Sequence, residues 1–240
     1  MSNELIQAAD WLAEKVDQLS FSPPTTHVYN PLKYAAGVHH QYLERFDIRR
    51  VQTLWLGMNP GPWGMAQTGV PFGEVTAVRD YLNITGPVGQ PTQPHPKRPV
   101  EGFDCPKSEV SGRRLWGLMQ ERYPSVDEFF QREIVFNYCP LIFMESSARN
   151  RTPDKLPASE REPLTELCDA HLARMLNAID PVHVIGVGVY AEKCLQRVVK
   201  ATGSTARVCR VLHPSPASPA ANKDWSGKVT RSLQEAGVWV

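Results

Sequence analysis

The residues of this sequence best suited to chemistry are two asparagines, a histidine and a phenylalanine in unusual surroundings. Asn59 separates an apolar run from the stiff stretch Pro-Gly-Pro, and Asn137 stands inside another apolar run, where asparagine is uncommon. His213 follows a third run and precedes Pro-Ser-Pro. A carboxamide can match one donor and one acceptor on the edge of a base, and Phe72 could supply a stacking face. Together these residue types indicate a site for a planar, hydrogen-bonding ring.

Each of these residues also has a structural interpretation that the sequence alone leaves open. Asn59 could serve only to make a turn, because asparagine tolerates turn conformations. A histidine at a strand end, such as His213, is commonly a hydrogen-bonded structural residue, and Phe72 could equally be a core aromatic. Whether they form a site depends on where the surrounding strands place them.

Four apolar runs predict those strands, at residues 51–58, 133–139, 182–187 and 207–212. Three of them are almost continuously apolar, which is typical of strands covered on both faces. Helical patterns alternate with the strands at residues 32–46, 112–122, 160–179, 191–201 and 222–236. This alternation predicts a three-layer α/β/α fold with a mostly parallel four-stranded central sheet. The 240 residues suit a single domain (1–240) that begins with an amphipathic helix at residues 1–20.

The carboxyl ends of the strands are the expected place for a ligand, because open α/β sheets bind ligands there. The first strand runs into Asn59, the second carries Asn137 near its end, and the fourth ends at His213. Parallel strands end at the same edge of a sheet, so the two carboxamides and the imidazole are predicted to share one rim.

The overall charge argues against a protein that binds nucleic acid or membrane through bulk charge. The 26 Lys and Arg residues stand against 25 Asp and Glu residues, for a net charge of +1. The charge is uneven, however, because residues 193–231 hold eight basic side chains and one acidic side chain, Asp224. Such a run is usually a solvated helix face. It also brackets His213, and phosphate contacts need only a few well-placed cations.

Composition also argues against several kinds of protein. The five cysteines form no CxxC pair, so we expect no disulfide framework, no metal site and no cofactor. No apolar stretch approaches the length of about 18 residues that a membrane span needs, and residues 1–20 lack the pattern of a signal peptide. We therefore expect an intracellular monomer that does not bind membranes, located in the cytoplasm or nucleoid if the source is bacterial.

Two stretches of the sequence resemble the motifs of the single-strand-selective monofunctional uracil-DNA glycosylases. Residues 57–75 (GMNPGPWGMAQTGVPFGEV) are similar to the family's first motif, and residues 213–216 (HPSP) with 220–223 (AANK) are similar to its second. Asn137, within NYCPL, matches the family's base-reading asparagine, and residues 108–112 (SEVSG) and 29–31 (YNP) are also similar. The similarity runs from about Tyr29 to the C-terminus.

This resemblance implies the glycosylase fold and hydrolysis of the N-glycosidic bond of uracil, and of some 5-substituted uracils, in DNA. The nucleotide would be flipped into a pocket, and no lyase activity is implied. Asn59 would position the attacking water, and His213 would donate to O2 of the departing base. Phe72 would stack on the ring, and Asn137 would pair with N3–H and O4. The remaining substrate-binding residues would be Met58, Gly61 and Met65, the last two in a loop that bounds the C5 side.

The resemblance also implies contacts to DNA beside the base pocket. Ser111 and Ser215 would contact phosphates. The other DNA contacts would be Pro216, Ala217, Ser218 and Lys223. In the second motif of the family a basic or bulky wedge residue is expected just after His-Pro-Ser-Pro, but this sequence has Ala-Ser-Pro. The small wedge predicts a preference for single-stranded or mispaired uracil over U·A pairs, with both single- and double-stranded DNA as partners.

Two other interpretations are open. Residues 186–191 (GVGVYA) have the GxGxxA pattern of dinucleotide-binding enzymes, although the acidic ribose-binding residue expected about 20 residues later is missing. A non-catalytic protein with the same fold would bind nucleic acid without cleaving it. The sequence also leaves open how uracil, 5-hydroxymethyluracil and deaminated purines rank as substrates.

Overall fold

The computed structural model of the chain describes residues 2–239, so Met1, in the predicted N-terminal helix, and Val240 lie outside the described residues. The strands in this part of the chain are β1 (His27–Tyr29), β2 (Thr53–Gly57), β3 (Glu133–Asn137), β4 (Ile142–Met144), β5 (Asn150–Arg151), β6 (His183–Val187) and β7 (Arg207–Val211). The α-helices are α1 (Ser2–Val16), α2 (Pro31–Tyr34), α3 (Ala36–Glu44), α4 (Met65–Thr68), α5 (Val110–Arg122), α6 (Val126–Arg132), α7 (Ala158–Ile179), α8 (Val189–Thr202) and α9 (Trp225–Glu235).

The central sheet consists of four parallel strands in the order β3-β2-β6-β7. Every residue of β2 and β3 is buried, which explains why these runs are almost continuously apolar. The edge strand β7 is partly exposed along its length. The four predicted strands are confirmed, with ends that differ from the predicted ones by at most two residues.

The helices pack around this sheet. The helix α8 contacts β6, β7 and β2, α7 packs beside α8, and α1 lies against α7. The helices α5 and α9 pack together, α9 contacts β7, and α6 contacts β3. The predicted α/β fold with its four-stranded parallel sheet is thus confirmed. Across residues 2–239, no helix is both long enough and apolar enough to cross a membrane.

Several helices differ from the predicted bounds. The helix predicted at residues 32–46 is two helices, α2 and α3, which are separated by Ala35. The helix predicted at residues 222–236 begins only at Trp225, after the capping residue Asp224. The first helix, α1, ends four residues earlier than predicted. The short helices α4 and α6, with 4 and 7 residues, are not predicted because they are too short for a clear helical period.

A second, antiparallel sheet in the order β1-β4-β5 is also missing from the sequence prediction, because its strands have only two or three residues. It anchors the proline-rich connection at residues 86–99. The Tyr29 hydroxyl accepts a hydrogen bond from the His95 N–H at 2.6 Å and donates to the Arg98 carbonyl at 2.8 Å. This connection is therefore fixed beside the carboxyl ends of the central strands.

A buried carboxyl group ties the central sheet to the C-terminal segment. Glu133, the first residue of β3, accepts hydrogen bonds from three side chains. The donors are Trp55 Nε1 at 2.6 Å, the Tyr123 hydroxyl at 2.5 Å and Trp239 Nε1 at 2.9 Å. Burial raises the pKa of Glu133, and the three donors act in the opposite direction. Three buried donors thus depend on one acceptor group.

We expect Glu133→Gln to lower the free energy of unfolding by about 1–3 kcal/mol, because the amide nitrogen cannot accept the hydrogen bond that a carboxyl oxygen accepts. Urea unfolding followed by tryptophan fluorescence measures the change. The control Glu128→Gln, on the exposed surface of α6, should change the free energy of unfolding by less than about 0.5 kcal/mol. An unchanged unfolding midpoint in Glu133→Gln would contradict this role.

Candidate active site

A cavity of about 410 Å³ opens at the carboxyl ends of the central strands. It is lined by Met58, Asn59, Pro60, Gly61, Pro62, Trp63, Phe72, Glu109, Ser111, Asn137, Asn150, Thr152, His213 and Ser215. The residues predicted to share one rim therefore meet in one cavity. A larger cavity of about 550 Å³ lies between α7 and α8, has a lining of mixed charge and contains none of the predicted site residues.

One wall of the cavity depends on the absence of a side chain at Gly57. The register of β2 and β3 sets Gly57 opposite Asn137. A Cβ atom at Gly57 would lie 2.5 Å from both Asn137 Oδ1 and Phe72 Cε2. The carboxamide and the phenyl ring thus meet over the bare backbone of this glycine.

Neighbouring groups hold both side chains in place. Asn137 Nδ2 donates to the Met65 sulfur at 3.3 Å, which fixes the orientation of the carboxamide. Phe72 has a positive φ of 54°, which is rare for a residue with a side chain. The first turn of α5 packs directly on it, since a Cβ at Gly112 would overlap the Phe72 carbonyl oxygen. The strained backbone at Phe72 is therefore supported by close packing.

His213 lies two residues beyond β7 and is fixed in one tautomer. The Ser215 N–H donates to His213 Nδ1 at 3.1 Å, so Nδ1 is an acceptor and Nε2 carries the hydrogen. Burial lowers the pKa of His213 from its usual value of 6.5. A Cβ at Gly188, which has a φ of 92°, would lie 3.3 Å from His213 Cβ. The site therefore holds a neutral imidazole with one N–H donor.

Asn59 is oriented by its amide nitrogen. Nδ2 donates to the carbonyl of Leu141 at 3.2 Å and more weakly to that of Pro60 at 3.4 Å. The carboxamide oxygen is the end of the group that remains to accept a hydrogen bond from water or a ligand.

The second-motif loop is held from α5. Arg114 donates to the Pro214 carbonyl at 2.9 Å and to Asn222 Oδ1 at 3.0 Å. Asn222 in turn donates to the Pro216 carbonyl at 3.0 Å. Of the predicted DNA contacts, Ser111 and Ser215 line the cavity. The others lie outside its lining, on the loop and turn beside it: Pro216, Ala217, Ser218 and Lys223.

Trp63 is a cavity residue that the sequence reasoning did not select. The Lys107 ammonium group lies 4.2 Å from the centre of its ring, and the Arg98 guanidinium carbon lies 5.2 Å from it. We call these three residues the Trp63 patch. Trp63 stands inside the first motif, but its cations come from residues 35 and 44 positions away in the chain, so no local pattern could have revealed them.

Part of the positive charge of the basic stretch at residues 193–231 is neutralised by ion pairs. Arg197 is bound in a bidentate ion pair to Asp169 with two distances of 2.7 Å. Arg210 pairs with Glu192 at 3.2 Å, and Arg231 lies 3.7 Å from Asp224. Three of the eight basic side chains of this stretch are therefore paired, two of them with acids outside it.

The glycine pattern at residues 186–191 serves packing. A Cβ at Gly186 would lie 2.5 Å from the Glu192 backbone nitrogen, so the glycine allows α8 to approach β6. The missing side chain of Gly188 leaves space for His213. The described residues hold no group of three His, Cys, Asp or Glu side chains that could bind a metal, and all five cysteines are free thiols.

A parallel α/β sheet whose rim presents a stacking ring, a fixed carboxamide and a neutral imidazole suits the class of proteins that take a nucleobase out of the stack. A sequence profile of the Uracil DNA glycosylase superfamily matches residues 44–234.

Two relatives show where this chain belongs, and a solved structure shows the same fold. It is 46% identical over 227 residues to the single-strand selective monofunctional uracil DNA glycosylase of Mus musculus, and 47% identical to that of Bos taurus. These alignments cover 95% of this chain and 81% and 84% of the relatives. The fold is also that of the crystal structure of SMUG2 from Pedobacter heparinus, with a TM-score of 0.64 and 17% identity over 96% of this chain and 98% of that one. The chain belongs to the uracil DNA glycosylase superfamily, and within it to the single-strand selective monofunctional uracil DNA glycosylases.

We expect His213 to titrate below pH 6.5 and to keep its hydrogen on Nε2 in the neutral form. Nitrogen-detected NMR of the imidazole, recorded across a pH series, measures both properties. Ser215→Pro removes the N–H that bonds to Nδ1 and should weaken the tautomer preference, whereas Ser215→Ala keeps this N–H and should not. A titration midpoint above 6.5 in the unaltered protein would contradict the assignment.

Proposed function

We propose that this protein flips uracil out of DNA and hydrolyses its N-glycosidic bond, leaving an abasic site with the DNA backbone intact. The observation that carries the proposal is the meeting of Asn137 and Phe72 over Gly57, at the wall of a cavity that His213 also lines. This geometry fits a flat ring with a donor and an acceptor on one edge.

Uracil is selected by its hydrogen-bonding edge. Its N3–H donates to Asn137 Oδ1 and its O4 accepts from Nδ2, whose present partner is the weakly accepting sulfur of Met65. Cytosine presents an acceptor at N3 and a donor at N4, so both groups would face a like group. Each unsatisfied buried group costs about 1–3 kcal/mol. The ring itself stacks on Phe72.

The reaction requires stabilisation of an anion. As the bond between C1′ and N1 breaks, its electron pair stays on uracil, and the sugar acquires oxocarbenium character. His213 Nε2–H donates to O2 where the negative charge develops. Water held by Asn59 Oδ1 adds to C1′ and releases a proton, and the uracil anion takes up a proton. Little deprotonation is needed before attack, so a neutral carboxamide suffices to orient the water.

The cavity supports hydrolysis without strand cleavage. None of the described side chains that line it is a lysine, so no amine is placed to form a covalent imine with the sugar.

The DNA backbone runs past the Trp63 patch, whose cations suit phosphates, and past Ser111 and Ser215. The loop 61–65 bounds the C5 side of the base, and 5-substituted uracils are included among the substrates.

Both single- and double-stranded DNA are proposed substrates, for a monomer that works inside the cell. The small exposed apolar surface supports a monomer. The exposed large hydrophobic residues in the described range are Val182 and Val189. Five free cysteines suit a reducing compartment. The cytoplasm or nucleoid of a bacterium would supply both that compartment and the DNA.

Asn59→Ala should lower the single-turnover rate of uracil release by about 100-fold or more, because the attacking water loses its partner. Binding to abasic DNA should stay nearly unchanged, because the Asn59 carboxamide has no proposed contact to DNA. The assay incubates uracil-containing oligonucleotides and cleaves abasic sites with alkali. Asn177→Ala, on the exposed surface of α7, is the control and should match the unaltered protein. If the unaltered protein binds these oligonucleotides but forms no abasic product, it is a non-catalytic binder.

Single-stranded uracil should be processed at least about tenfold faster than uracil in U·A pairs, because unpairing costs a few kcal/mol and the loop beside the cavity offers only small side chains to offset it. Rates on single-stranded, U·G and U·A substrates of one sequence measure this preference. Ala217→Arg adds a basic wedge and should narrow the difference, whereas Ala220→Arg, in the turn Pro219–Asn222, should not. Equal rates on all three substrates would refute the small-wedge explanation.

A further inference from the structure

Glu109 places a carboxyl group inside the first-motif loop. It is the N-cap residue of α5, but its side chain makes no capping hydrogen bond to that helix. Instead it lies against the loop 61–64, where a Cβ at Gly61 would overlap Glu109 Oε2 and a Cβ at Gly64 would lie 2.6 Å from it. The two glycines of Gly-Pro-Trp-Gly thus leave the space that the carboxyl group fills.

This carboxyl group is not satisfied in the way that buried carboxylates usually are. Oε2 is shielded from solvent and has no hydrogen-bond partner among the described residues. The backbone N–H of Trp63 is the one hydrogen-bonding group that acts on the carboxyl to favour its charged form. A buried carboxylate ordinarily requires several donors or a cation. The surroundings of Glu109 therefore suit the uncharged acid.

Burial and a neighbouring carboxyl group act on Glu109 in the same direction. Burial, the larger cause, and the nearby carboxyl of Glu74 raise the pKa of Glu109 to about 7. His213 lines the same cavity, and burial lowers the pKa of its imidazole. Lys107 and Arg98 lie over the Trp63 ring of this loop.

We propose that Glu109 is a positioning residue of the uracil pocket, whose uncharged carboxyl group holds the loop 61–64 in the shape that closes the C5 side of the base. The proposal rests on the proposed function. Two physical reasons favour the uncharged form. An anionic side chain beneath this wall would repel both the uracil anion that forms in the reaction and the phosphates of the DNA. A carboxylate without donors would also draw water into the loop and loosen it.

The test is the pH profile of single-turnover uracil release from a single-stranded oligonucleotide at constant ionic strength. The unaltered protein should lose activity as the pH rises from 7 to 9, by at least about fivefold, because the active uncharged form is depleted. Glu109→Gln, which has the same shape and cannot ionise, should show no such loss. Glu121→Gln, at an exposed position of the same helix, is the matched control and should keep the loss.

A second variant keeps the test decisive if Glu109→Gln is inactive or unfolded by circular dichroism. Glu74→Gln removes the neighbouring charge and should move the alkaline loss of activity to lower pH by lowering the pKa of Glu109. A purely structural role of Glu109 would not produce this shift. An alkaline loss that persists in Glu109→Gln, or that stays in place in Glu74→Gln, would overturn the proposal while leaving uracil release intact. No uracil release by the unaltered protein at any pH would overturn the proposed function and this proposal with it.

Discussion

The pairing of β2 with β3 is the constraint on which the site depends. Their parallel register places Gly57 opposite Asn137 at the carboxyl ends of both strands. Because Gly57 has no side chain, the Asn137 carboxamide and the Phe72 ring can meet over its backbone. A shift of one residue in this register would turn Asn137 to the other face of the sheet. The cavity would then lose the carboxamide that is proposed to read the base.

The first turn of α5 joins the remaining walls. Glu109 fills the space under the loop 61–64, Gly112 packs beneath Phe72, and Arg114 holds the carbonyl of Pro214. Two parts of the chain that are far apart, residues 61–72 and Pro214, thus contact one short stretch. Such close packing suits a reaction that depends on fixed dipoles directed at a developing anion.

The groups that are proposed to face the base are uncharged. Two carboxamides, a phenyl ring and a neutral imidazole offer directed hydrogen bonds without a carboxylate that would oppose the departing anion. The protein as a whole is also close to neutral, with a net charge of +1. Three of the eight cations in its basic stretch are paired with acids, and the Trp63 patch adds two cations beside the cavity. Affinity for DNA is then local, and specificity depends on the pocket.

The sequence by itself determined the four strands, their parallel arrangement and the convergence of Asn59, Asn137 and His213, because continuous apolar runs and their polar ends are local properties of the chain. Only the tertiary structure decided the tautomer of His213, the carboxyl of Glu109 beneath two glycines, and the cations over Trp63. Each of these depends on contacts between segments distant in sequence or on a backbone turn, and no pattern of residue types records such distances. The short second sheet and the split between α2 and α3 escaped prediction for a related reason. Segments of so few residues owe their conformation to packing and not to periodicity.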